Sequence, residues 1–338
     1  MDSFLERIFL KGNNFLGTKY PIMGGAMTWV SERKLVSAIS NSGGFGIIAC
    51  GSMNVEQLDK EITETKNLTK KNFGVNLILL HPEINDLINC CIAQNVNLVV
   101  FAGGFPKRRQ IEVLKNKGIK TMCFATTLSI AKKMISYGID SIVLEGNEAG
   151  GHIGPVSINV LAQEILPEIR EVPVFVAGGI GRGEIILKFL ELGASGCQIG
   201  TRFACSEESI AHQNFKEVFV KAEARNAQVS VKIDDRFPVI PVRAIENNAT
   251  KKFMNEQKKL LSLIEENKIS LKDAQLSIEH FWAGSLRDAV LDGDIDNGSL
   301  MAGQSVSLVK KIQSVREIIN ELLGQMKHQI KFQNGKNI

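Results

Sequence analysis

The chain has 338 residues, 44% of them apolar and 22% charged, which is enough to bury the core of one large domain or of one domain with an appendage. Its formal charge of +4 is dispersed: Lys66, Lys70, Lys71, Lys251, Lys252, Lys258 and Lys259 stand among polar or acidic neighbours, and two Trp and two Tyr leave few stacking platforms, which argues against a nucleic-acid partner. The six cysteines show no CxxC spacing, and no stretch has the continuity of a signal peptide or bilayer span, so a reducing, cytoplasmic setting without a membrane is expected.

From Tyr20 onward, short runs rich in Val, Ile and Phe alternate with longer segments of helical periodicity, the pattern of βαβ units on a parallel sheet. Strands are predicted at residues 20–23, 45–49, 73–79, 98–102, 119–124, 141–144, 173–177 and 196–199. Gly118, Gly138 and Gly193 each close a helix just before one of them. Eight such units are what a TIM (β/α)8 barrel requires; a doubly wound open sheet is the alternative.

Beyond Phe203 the pattern changes. A helix is expected over 202–224, then a stretch over 229–242 broken by Pro238 and Pro241, an amphipathic helix over 245–266 and another over 271–282. A Gly/Asp-rich turn and a helix over 304–326 follow, with a frayed polar tail after Gln329. This divides the chain into a barrel (1–225), a mostly helical cap on the substrate side (226–303) and a helix returning to the barrel (304–330).

In such a barrel the site lies at the C-terminal ends of the strands, and that is where the unusual residues collect. The first strand ends in Met23-Gly24-Gly25, small enough for a flat ligand to approach, or simply a tight turn. Asn76 places an amide in an apolar strand, where it needs a partner from a ligand or from a neighbouring loop. Gly178-Gly179 after the seventh strand and Gln198-Ile199-Gly200-Thr201 after the eighth form the position where these barrels bind phosphate.

The sixth strand runs into Glu145-Gly146-Asn147-Glu148-Ala149-Gly150-Gly151-His152. A lone histidine is more often structural. The flanking Gly150 and Gly151 and the nearby Glu145 and Glu148 make His152 the candidate acid or base. His81, His212, His280 and His328 have no metal-ligand spacing. The run from Asp292 to Gly298 resembles a calcium loop, but Asn297 stands at its glycine position and Gly303 at its last ligand position, so it reads as a turn on the barrel mouth and no metal is expected.

Taken together, these motifs resemble the nitronate monooxygenase (2-nitropropane dioxygenase-like) family, which includes the FMN-dependent enoyl-acyl-carrier-protein reductases of the second type. They are joined by Pro241-Val242-Arg243-Ala244 and by the run from Gly293 through Ala302-Gly303-Gln304. The resemblance implies FMN with its phosphate at Gly178, Gly179 and 198–201, flavin contacts at Asn76, Glu145 and Gly150, and His152 as the active-site histidine. It implies oxidation of alkyl nitronates by O2 to a carbonyl compound and nitrite.

Glu145 and Ile153 depart from the common monooxygenase pattern, which has Gln and Arg there, and are closer to the enoyl reductases. In that reading NADH or NADPH is co-substrate and an enoyl thioester, or a quinone-type acceptor, is reduced. A non-catalytic flavin-binding barrel whose cap serves a partner protein is the reading from another class. The expected partner is a small-molecule substrate, and a homodimer is an assembly the sequence leaves open.

Overall fold

A computed structural model describes residues 3–234 and 239–335. Eleven strands are defined: β1 (Ile22–Gly24), β2 (Gly46–Ala49), β3 (Phe73–Ile78), β4 (Leu98–Ala102), β5 (Lys120–Phe124), β6 (Ser141–Glu145), β7 (Gly151–His152), β8 (Val174–Ala177), β9 (Gly196–Ile199), β10 (Ala227–Val229) and β11 (Val242–Ile245). Eight of them pair in parallel in the order β1-β9-β8-β6-β5-β4-β3-β2. The two edges meet, since Phe45 N donates to Ile22 O at 2.9 Å and Gly24 N to Phe45 O at 2.9 Å. The sheet is therefore closed, a (β/α)8 barrel rather than an open sheet, and all eight predicted strands are present. Gly118, Gly138 and Gly193 have φ of +73°, +91° and +110°, the left-handed helix ends that the sequence calls for.

Two apolar clusters follow from the strand alternation. Met23, Ile47, Val100, Met122, Val143 and Phe175 fill the lumen, with Leu16 of the N-terminal helix Ser3–Leu16 among them. Their neighbours Ile22, Ile48, Val99, Cys123, Leu144 and Val176 pack outward against the helices. The cysteines are buried free thiols, and burial pushes Cys50 and Cys123 up to about 12.

After the barrel the chain departs from expectation in three places. The segment 202–224 is not one helix: Thr201–Ala204 and Gln213–Lys221 are separated by a run of turns and bends that bonds to distant chain, Glu207 N to Gln313 O at 2.9 Å and His212 N to Val290 O at 2.7 Å. The last helix is Val315–Gln333, preceded by a 3-10 turn at Gln304–Leu308, so it starts later than expected. Nor does the chain fray after Gln329, because Leu322, Met326 and Ile330 continue a buried stripe at helical spacing.

The turn at Asp292–Gly298 uses the Asp294 carboxylate to accept from Asn297 N at 2.9 Å and Asp296 N at 3.2 Å. Helices Asn248–Glu265 and Leu271–Arg287 enclose a separate core in which Phe253 and Trp282 stack with centroids 4.4 Å apart. β7, β10 and β11 make a small antiparallel sheet that ties this segment to the loop after β6. Pro241 precedes β11; Pro238 lies outside the described residues. No described helix is long and apolar enough to cross a membrane.

Candidate active site

The ends of β1, β9, β8 and β6 are consecutive around the closed sheet, so Gly24-Gly25, Gly200, Gly178-Gly179 and Glu145 form one continuous arc of the C-terminal rim. Period-two alternation decides which side chains face inward. Val75 and Leu77 belong to the outer cluster, as do Cys197 and Ile199, while Val143 is in the lumen. Asn76, Gln198 and Glu145 therefore all turn into the barrel, Asn76 beside Val100 and Gln198 beside Met23 in the strand register. Met23, which was expected to bind a cofactor, is fully buried in the lumen cluster beside Gln198, and Ile199 faces the helices.

Each of these polar groups has a different state of satisfaction. Asn76 is buried and its Nδ2 donates to Val100 O on β4 at 3.2 Å, so at least one of its bonds is structural. Thr201 Oγ1 accepts from Gly303 N at 3.0 Å, joining the β9 loop to the late Ala302-Gly303 segment. For the Glu145 carboxyl no hydrogen bond or ion pair is found among the described residues. Desolvation by burial pushes it up to about 8, so it is largely protonated near neutral pH.

The glycines divide in the same way. Gly178 has φ of +92°, and a Cβ there would stand 2.8 Å from Gly146 O, which makes it a packing glycine between the β8 and β6 loops. A Cβ on Gly150 would meet Ala302 C at 2.6 Å. At Gly200, by contrast, a Cβ would meet only Met27 Sδ at 3.5 Å, an ordinary contact, so the protein itself does not demand glycine there.

His152 lies apart from these lumen-facing groups, on β7, with its backbone paired to Val242 of β11. Its Nε2 is 3.1 Å from Glu279 Oε2 on helix Leu271–Arg287, and about two-fifths of its side chain is exposed. Glu148, which was expected to support the histidine, is turned away: its Oε2 accepts from Ile158 N at 3.0 Å and caps the helix Ile158–Ile165. Arg243 is buried under the same loop and is committed to carbonyls, donating to Asn147 O at 2.9 and 3.0 Å and also to Ala227 O at 2.6 Å. Sequence reasoning missed Glu279, which sits 127 residues beyond His152 on a charged amphipathic helix with nothing local to mark it.

A cavity of about 450 Å³ between the helix Arg33–Asn41 and the segment 207–210 contains none of these residues.

Residues 11–325 match the nitronate monooxygenase family. The chain belongs to that family. It is a family of oxidoreductases. Among solved structures, FabK from Thermotoga maritima superposes with a TM-score of 0.84 at 35% identity, covering 96% of this chain and 98% of that one. Among curated relatives, an octahydro-indene-carboxyl-CoA dehydrogenase of Rhodococcus jostii is 28% identical over 91% of this chain and 93% of its own length. A probable nitronate monooxygenase of Staphylococcus saprophyticus is 29% identical over 80% of this chain and 89% of its own length.

Proposed function

We propose that this family member is an FMN-dependent, NAD(P)H-driven reductase of enoyl thioesters, rather than the nitronate oxidase that the family name suggests. The observation that carries the reading is the charge at the mouth. A nitronate is an anion, yet Arg243, the cation under the loop that carries His152, is occupied by backbone carbonyls, and His152 is paired with the Glu279 carboxylate. A thioester is neutral and needs no such cation. Likeness to FabK, an enoyl-acyl-carrier-protein reductase of the second type, along nearly the whole chain supports the same substrate class, as does the CoA-thioester relative.

The residues present fit FMN. A Cβ added at Gly25 would come within 3.2 Å of Gly200 Cα, so bare backbone lines this part of the rim, and Glu145 offers an unpartnered polar group toward the lumen. In this reading Gly178, Gly179 and 198–201 hold the phosphate, while Gly25 and Gly151 let the ring lie close to the backbone; Gly24 and Gly150 make room for Ile39 and for the Ala302-Gly303 backbone. Asn76, Glu145 and Gln198 face its polar edge. FMN, when bound, supplies the hydride chemistry.

His152 then serves the substrate. With Nε2 held by Glu279, Nδ1 is the nitrogen that holds or releases a proton toward the thioester. The cap, 226–303, closes the substrate side and supplies Glu279. Steady-state consumption of NADH or NADPH that depends on crotonyl-CoA, with no nitrite released from propionate 3-nitronate under air, is the expected result. Nitrite release without dependence on a pyridine nucleotide refutes it and returns the site to the nitronate reading, which the family match and the staphylococcal relative favour.

A further inference from the structure

Within the reading that FMN binds at this rim, we propose that Glu145 acts as a neutral carboxylic acid which donates a hydrogen bond to an acceptor on the flavin ring, and that its ionisation expels the cofactor. The geometry leaves this group without an alternative. It stands on the lumen side of β6, two residues above Val143, and its strand neighbour Ala177 on β8 offers no polar side chain.

The charged and titratable groups on the elements packed around it are all engaged or turned elsewhere. On β5, Lys120 reaches the opposite end of the barrel to donate to Phe15 O, and Cys123 faces outward. β8 carries no titratable residue. In the following loop, Glu148 caps Ile158 and His152 pairs with Glu279. The other inward polar side chains on these strands, Asn76 and Gln198, are uncharged amides.

Among the described residues no cation balances a carboxylate at position 145 and no donor solvates one. A carboxyl in such a place keeps its proton, and its one O–H must be spent on something. Glutamine is the uncharged isostere of that state.

The test is the dissociation constant of FMN for the full-length apoprotein, read from quenching of flavin fluorescence between pH 7 and 9.5. The FMN phosphate, whose second proton is lost near about pH 6, is already doubly ionised across this window. For the wild-type protein the affinity should be level near pH 7 and about tenfold weaker by pH 9, as expected for ionisation of a group whose value is about 8. Glu145→Gln should bind FMN with no such decline.

Affinity that rises with pH would mean that an ionised Glu145 accepts from the ring, and would overturn the proposal. So would a level wild-type curve, or an equal decline in Glu145→Gln. In all three cases FMN still binds, so the cofactor reading survives. If neither protein binds FMN at any pH, that reading falls and takes this proposal with it. The wild-type curve decides the matter alone if Glu145→Gln does not fold.

Discussion

The clearest quantitative consequence of the site concerns the stability of the apoprotein, where Glu145→Gln should be a stabilising change. Burial moves the Glu145 carboxyl from its ordinary 4.5 to about 8 in the folded chain. Between those values the folded state holds a proton that the unfolded state has released, so stability falls as pH rises, by about 1.4 kcal/mol per unit, and levels off above pH 8. At pH 7 the window spans 2.5 units from 4.5, so the carboxyl costs about 3 kcal/mol relative to its protonated state. Relaxation around the charge makes that an upper figure.

A glutamine of the same shape does not titrate. Urea unfolding of both proteins without FMN should therefore give midpoints that nearly coincide close to pH 4.5 and separate progressively in favour of the variant up to pH 8. Because all other titrating groups are common to both, they cancel in the difference. A difference that does not change with pH, or one that favours the wild type more as pH rises, would refute the reasoning.

The glycines provide a pair of opposed outcomes. Gly178→Ala forces a Cβ to within 2.8 Å of Gly146 O at a φ of +92°, and should cost about 1–3 kcal/mol in unfolding experiments whether or not FMN is added. Gly200→Ala meets only Met27 Sδ at 3.5 Å and should leave apoprotein stability unchanged while weakening FMN binding in a fluorescence titration. At the histidine, His152→Ala should retain FMN and lower turnover by ~10²–10⁴-fold. Glu279→Gln, which removes the charge-assisted bond at 3.1 Å, should lower kcat by about 10–100-fold with little change in FMN affinity, and unchanged kcat would show that the contact does not orient the histidine. Phe253→Ala empties a fully buried ring from the cap core and should cost about 3–5 kcal/mol, with hydrogen exchange rising across 248–287 and not in the barrel strands.

The barrel was legible because each of its strands is a short, largely buried apolar run separated from the next by a segment of helical periodicity, a signal that survives without any alignment. The rim residues were legible for a related reason: Asn76, Glu145 and Gln198 each interrupt or end an apolar run at a lumen-facing position. What the sequence hid was whatever depends on distant pairing. β7 is two residues long and exists because Val242 and Arg243 lie beside it, so no propensity could announce it. The break in the helix between Ala204 and Gln213 accompanies backbone bonds to residues 313 and 290. The companion of His152 is Glu279 rather than the nearby Glu148, because the Glu148 carboxylate is used to cap a helix.

The substrate class is the central claim, and it is tested most directly by following flavin absorbance of the FMN-loaded protein through two additions without oxygen. NADH or NADPH should bleach the flavin, and crotonyl-CoA added next should restore the colour in a single turnover and yield the saturated thioester. If pyridine nucleotides leave the flavin oxidised while propionate 3-nitronate bleaches it, and colour returns only on admitting O2, the thioester reading is contradicted.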